Sequence, residues 1–155
     1  MSKEDVDKNE SKIVGGFPNT YTFTKNLAEK TLVKRKGNLN FCLWRPSIIA
    51  SSMQQPYPGW TDSLSAAGGL SILGGLGLSH VVNSHGRYSF DVIPVDFVSN
   101  GCLVATCYTA SLDKQAETQI FNCSSSVENP ISMKTYSDCM VEIYHYLMLD
   151  RNPGS

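Results

Sequence analysis

The sequence predicts an α/β protein built on a largely parallel sheet. Three observations carry that prediction: one long helical stretch at residues 20–35, several short apolar runs bounded by turn residues, and the alternation of the two kinds along the chain. The 155 residues fit one domain, and a domain of this size buries roughly 70% of the surface its unfolded chain exposes. Hydrophobic residues are 41% and charged residues 17%, which suits a globular protein and excludes a long disordered one.

Residues 1–14 are a charged lead-in, with Lys3, Glu4, Asp5, Asp7, Lys8, Glu10 and Lys12, and are expected to be solvated and frayed. Gly15-Gly16-Phe17-Pro18-Asn19 is a turn, and Asn19 or Thr20 caps the helix that follows. Pro18 discourages an earlier start. Over 20–35, Phe23, Leu27, Leu32 and Val33 give an apolar side, while Lys25, Glu29, Lys30 and Lys34 give polar positions. Gly37-Asn38 ends the helix, with Lys34, Arg35 and Lys36 suited to the negative end of its dipole. Residues 39–44 read as a short buried strand that Pro46 ends. Residues 51–79 contain Pro56, Pro58 and six glycines, and are expected to be loop with at most short helices. A loop this long usually serves a function, such as a lid or binding loop. A strand at 90–93, a helix at 95–110, a strand at 119–123 and a helix at 131–147 complete the domain. That last helix carries Met133, Tyr136, Met140, Ile143 and Leu147, and residues 148–155 are a tail.

The formal net charge of −1 gives no general pull toward nucleic acid or an anionic membrane. The five cysteines are odd in number, contain no Cys-x-x-Cys, and follow no signal-type apolar run. A soluble, reduced, intracellular protein is expected, its cysteines mostly small buried groups. No apolar run approaches the roughly eighteen residues that span a bilayer. His80, His85 and His145 lack metal-ligand spacing and read as surface or capping residues. Cys102 and Cys107 read as core packing, and Asp62, Asp91 and Asp96 as separate caps and turn residues. Trp44 reads as strand core. Gly68-Gly69 and Gly74-Gly75-Leu76-Gly77 do not complete Gly-x-Gly-x-x-Gly, and a flexible loop is expected there.

Tyr21 and Lys25 lie four apart on the first long helix and so share a face. Carbonyl reduction needs a proton donor for the oxygen as hydride reaches the carbon. A free phenol, with a pKa of about 10, serves poorly at neutral pH unless a cation stabilises its anion. A lysine one turn away supplies that field. Spacing alone is weak evidence, because seven Tyr and nine Lys in this length give roughly 0.4 such pairs by chance.

The surrounding text is more specific. Pro18-Asn-Thr-Tyr-Thr-Phe-Thr-Lys-Asn-Leu-Ala-Glu29 resembles the active-site helix of the fatty acyl-CoA reductases, also called male-sterility-type proteins. The resemblance continues through Arg45-Pro-Ser-Ile48, Gln55-Pro-Tyr-Pro-Gly-Trp-Thr-Asp62, Asp91-Val-Ile-Pro-Val-Asp96, Asn122-Cys-Ser-Ser-Ser126 and Asn129-Pro-Ile131, in family order over residues 15–146.

The resemblance implies a partial Rossmann-like, extended short-chain dehydrogenase fold. It also implies NADPH-dependent reduction of a long-chain acyl-CoA to a fatty alcohol, in two steps through an aldehyde held in the site. Tyr21 would protonate the substrate oxygen, and Lys25 would assist it and bind the nicotinamide ribose. Pro46, Ser47 and Ile48 would pass the nicotinamide end of the cofactor. Pro58, Gly59 and Trp60 would help to shape the acyl-CoA pocket. By the same resemblance the protein would associate with peroxisomal or endoplasmic-reticulum membrane, and otherwise be cytoplasmic.

The family's glycine-rich pyrophosphate turn and the serine on the strand before the tyrosine helix are not found in these residues. At Leu76-Gly-Leu-Ser-His80 the chain departs from a basic position. The chain is thus expected to be the second half of the NAD(P)-binding domain. As such it would be weakly active alone and prone to self-association through an exposed sheet edge. A non-catalytic binding or dimerising remnant, and another extended short-chain dehydrogenase, remain as alternatives.

Overall fold

One stretch of extended backbone, residues 42–50, organises the molecule. In the computed structural model, which describes residues 5, 9–64, 67–79, 83–113 and 117–149, this stretch is β1 (Cys42–Pro46) followed, after Ser47, by β2 (Ile48–Ala50). β2 pairs in parallel with β3 (Val92–Pro94), Ile48 opposite Val92. β1 pairs in parallel with β4 (Gln119–Cys123), Cys42 opposite Gln119 and Pro46 opposite Cys123. Pro46 has no N–H to give the ladder. Pairing resumes at once, because Ser47 N–H donates to Cys123 O at 2.9 Å and Ile48 N–H to Asp91 O at 3.1 Å. The chain therefore changes partner across Ser47.

Among the described residues five helices accompany these strands: α1 (Glu10–Val14), α2 (Thr20–Arg35), α3 (Ala67–Gly75), α4 (Val95–Ser111) and α5 (Met133–Leu149). α4 follows β3 directly and packs on the strands. Its Val98 joins Ile93 and Cys123 in the buried cluster, with Trp44 against them. Helix and strand approach closely at Gly101, where an added Cβ would lie 2.7 Å from Trp44 Cη2 and Cζ2. α3 packs on α5. There the Tyr136 hydroxyl meets Ser71 Oγ at 2.7 Å and donates to Ala67 O at 3.2 Å.

The mixed helix–strand order with parallel pairing agrees with the α/β expectation and with part of an NAD-binding α/β domain. α2 has the expected bounds. Asn19 Oδ1 accepts the Thr22 N–H at 2.9 Å as its cap, and Gly37 follows its end at φ 57°. β4 also has the expected bounds. The first strand lies later than expected and runs through Pro46, because the Ser47 and Ile48 amides carry its pairing onward.

Four expectations need correction. Gly68, Gly69, Gly74 and Gly75 sit in α3 rather than in a flexible loop, since packing against α5 outweighs their poor helix propensity. Of the cysteines only Cys123 is buried. Cys102, Cys107 and Cys139 are exposed, because the outer faces of α4 and α5 are uncovered among the described residues, with Leu103 and Val104 exposed beside them. The apolar side of α2 buries nothing, and Leu27, Leu32 and Val33 are exposed. In the lead-in, residues 10–14 are helical; residues 1–4 and 6–8, like His80 and residues 150–155 of the tail, lie outside the described residues.

Candidate active site

Tyr21 and Lys25 are brought together by the helical spacing of α2. Lys25 Nζ lies 5.6 Å from the centroid of the Tyr21 ring, a cation–π distance. Tyr21 is 67% exposed, so its hydroxyl is open to a ligand. The entry to the helix is set by the Asn19 cap and by Phe17, whose ring meets Phe23 edge-on with centroids 5.6 Å apart.

Another turn along the same face stands Glu29, which the sequence reading left among the polar positions. Its carboxylate takes a two-pronged grip from Arg45 on β1, Nε to Oε1 at 2.8 Å and Nη2 to Oε2 at 2.5 Å. The Arg45 hydrogen bonds hold the Glu29 carboxyl below its ordinary range, and the pair raises Arg45 in return. This grip ties the helix face of Tyr21, Lys25 and Glu29 to the strand that continues into Pro46, Ser47 and Ile48. A signal for it was present, because positions 21, 25 and 29 recur every four residues.

Ser47 sits where the strand changes partner, at the carboxyl ends of β1 and β4. In open α/β sheets ligands bind at such points. Asp91 fixes the surroundings. It accepts from Ser125 N at 2.9 Å and Ser126 Oγ at 2.8 Å, while Ser125 Oγ donates to Val92 O at 2.8 Å. Burial pushes the Asp91 carboxyl up, but the hydrogen bonds from Ser125 and Ser126 and the nearby Ser47 hydroxyl outweigh it, and the net shift is down. Ser47 Oγ is itself buried and makes no hydrogen bond of standard geometry. Beside Asp91 but without a hydrogen bond of standard geometry, this hydroxyl fits a cofactor passing over Pro46, Ser47 and Ile48. The described residues hold no glycine-rich turn between a strand and a helix N-terminus, so they do not supply a pyrophosphate cradle.

The loop after β2 is folded on two polar residues. Ser52, buried, pairs its backbone with Trp60 and Gly59 at 2.9 Å each, and its Oγ donates to Tyr57 O at 2.5 Å. Asp96, in the first turn of α4, reaches across to accept the N–H groups of Met53, Gln54 and Gln55 at 3.0, 2.9 and 3.2 Å. Burial raises the Asp96 carboxyl, but these three N–H groups more than reverse it and bring its pKa down to about 2. Asp91 and Asp96 are separate, as expected, but each pins a segment distant in sequence rather than capping a helix or shaping its own turn.

Of the three expected substrate residues, Gly59 lines a cavity of about 570 Å³ together with Thr61 and Asp62, whereas Pro58 and Trp60 are not among its lining. The same cavity is bounded by Ile49 and Ala50, immediately after Ile48. Tyr21 and Lys25 line neither this cavity nor a second one of about 310 Å³ between α3 and α5. No helix among the described residues is long and apolar enough to cross a membrane.

Comparison with known proteins places this arrangement. An NAD-binding family model described as male sterility protein matches residues 1–102. A Bos taurus protein named fatty acyl-CoA reductase 2 is 38% identical over 125 residues, covering 81% of this chain and 24% of that protein. Its Mus musculus namesake is 40% identical over 119 residues, covering 77% and 23%. A Gallus gallus protein named fatty acyl-CoA reductase 1 is 33% identical over 142 residues, covering 92% and 26%. The chain spans about a quarter of the length of these curated relatives. Through the family match and these relatives, the chain belongs to the male sterility protein family of NAD-binding reductases.

Proposed function

We propose that this chain carries the proton-donating part of a reductase that converts a long-chain fatty acyl-CoA to a fatty alcohol with NADPH as reductant. The observation that supports this most is the Tyr21–Lys25 pair on a helix tied by Glu29 and Arg45 to the strand ending at Ser47. The relatives' names supply the substrate class.

NADPH, when bound, supplies hydride to the carbonyl carbon. Tyr21 donates a proton to the substrate oxygen, and Lys25 places positive charge one turn away, where it favours the phenolate left behind. Lys25 would also hold the nicotinamide ribose. Ser47 and its neighbours Pro46 and Ile48 would hold the nicotinamide end. The first reduction releases the CoA thiol and leaves an aldehyde. A second, which consumes a second NADPH and one more proton, leaves the alcohol. The loop carrying Pro58, Gly59 and Trp60 shapes the entrance for the acyl-CoA. The pyrophosphate cradle comes from outside these residues.

The test is NADPH oxidation by the intact protein with palmitoyl-CoA, with fatty alcohol identified as product. A panel that includes sugar nucleotides separates this reading from another short-chain dehydrogenase activity. Turnover of a sugar nucleotide with none of palmitoyl-CoA would overturn the substrate assignment.

A further inference from the structure

Resting on the reductase reading, the cavities locate the acyl chain. The larger cavity begins at Ile49 and Ala50, one residue beyond the Pro46–Ser47–Ile48 segment, and is lined further by Thr61 and Leu64 of the loop and by Gly68 and Ile72 of α3. The smaller lies between α3 and α5, walled by Leu70, Gly74, Met133 and Val141. Tyr136 and Met140 line both. These two side chains are therefore the partition between neighbouring chambers.

The partition suits an apolar ligand. The Tyr136 hydroxyl is already engaged with Ser71 and Ala67, and Phe90 backs its ring at 4.6 Å, so the tyrosine offers a fixed aromatic wall. Met140 is unbranched and can swing aside without a large steric cost. Among the described residues no charged side chain lines the smaller chamber, and Asp62 is the charged one lining the larger. The polar end of a ligand therefore belongs in the larger chamber, next to the strand end, and its tail in the smaller. Volumes of about 570 and 310 Å³ fall in the range of roughly 300–1,000 Å³ typical of ligand sites. A Cβ at Gly74 would meet Met140 Cβ in ordinary contact at 3.8 Å, so a larger side chain there would extend into the smaller chamber.

We infer that the two chambers on either side of Tyr136 and Met140 form one acyl-chain site, with the thioester end beside Ile49 and Ala50 and the methyl end between α3 and α5. Chain-length preference then resides in the smaller chamber. The occupant is a linear hydrocarbon tail, and α5 is its outer wall.

The test measures binding and needs no turnover. The intact protein is titrated with cis-parinaric acid, a fluorescent long-chain probe, which is then displaced with palmitoyl-CoA or decanoyl-CoA. Each methylene newly buried is worth up to about fourfold in affinity, so palmitoyl-CoA is expected to compete at least about tenfold better. Gly74→Leu fills the smaller chamber. It is expected to weaken palmitoyl-CoA by about tenfold while leaving decanoyl-CoA within about threefold. Val141→Trp narrows the same chamber from α5 and is expected to act alike. Far-UV circular dichroism shows which variants are folded, so failure of one leaves the other to decide. Equal losses for both chain lengths, an unchanged preference in folded variants, or no probe binding by the unaltered chain overturns the inference. The reductase reading is judged separately, by turnover and its dependence on Tyr21.

Discussion

Gly101→Ala puts two known effects in opposition at one site. In a helix interior, replacing glycine by alanine normally stabilises by about 1 kcal/mol. At Gly101 the new Cβ would stand 2.7 Å from Cη2 and Cζ2 of Trp44, both in the rigid six-membered part of the indole. Carbon atoms in ordinary contact are about 3.5–4.0 Å apart, so helix or ring must shift by about an ångström. Trp44 rests on Ile93, Val98 and Cys123 and has little room to retreat. Overpacking of this kind costs about 1–3 kcal/mol. The net expectation is destabilisation of about 1 kcal/mol, read as a urea midpoint lowered by about 0.5 M for an m-value of about 2 kcal/mol/M. Asn100→Ala, one residue earlier and exposed, is the control for propensity and should stabilise by a few tenths of a kcal/mol. In a Trp44→Phe background both clashing atoms are gone, and Gly101→Ala should become neutral or stabilising, which a double-mutant cycle measures. A raised urea midpoint for Gly101→Ala in the Trp44 protein would refute the close packing of α4 on β1.

Asp96→Asn should loosen the loop that begins at Met53, visible as faster amide exchange at residues 53–55. The folded pKa of Asp96, about 2, lies below its ordinary value of 3.8. Its contribution is therefore complete above that value and lost as pH falls through about 2. The melting-temperature gap between wild type and Asp96→Asn should accordingly close between about pH 4 and pH 2, and a gap that is constant or widens on acidification would count against the three-bond clamp. Glu29→Gln removes the grip of Arg45 on α2. Because the pair is partly exposed, stability should fall by less than about 1 kcal/mol. Turnover by the intact protein should fall much further, by about ten- to a hundredfold, if the grip sets the position of Tyr21. Parallel small losses in both would make the pair merely structural.

Much of the frame was legible from local chemistry. α2 was bounded by a capping Asn19 and a glycine at 37, and β4 by its short apolar run, because the signals for those ends lie within a few residues of them. α3 was not legible. Its four glycines argue for a loop, and only the packing of α5, some seventy residues later in sequence, makes it a helix. The exposed Cys102 and Cys107 were misjudged for a related reason, since a helix rich in apolar residues does not reveal which of its faces finds a partner. The Tyr21–Lys25 pair was visible in the spacing, whereas the Arg45 that anchors their helix was not singled out. Asp96 was expected to serve as a cap or turn residue. That it clamps amides more than forty positions away has no local signature.

The central claim, that Tyr21 is the proton donor of an acyl-CoA reductase, is tested most directly by NADPH oxidation with palmitoyl-CoA in the intact protein, with and without Tyr21→Phe. That substitution keeps the ring beside Lys25 and removes only the hydroxyl. A fall of about a hundredfold or more in kcat, with palmitoyl-CoA binding retained, is expected. An unchanged rate in Tyr21→Phe would contradict it.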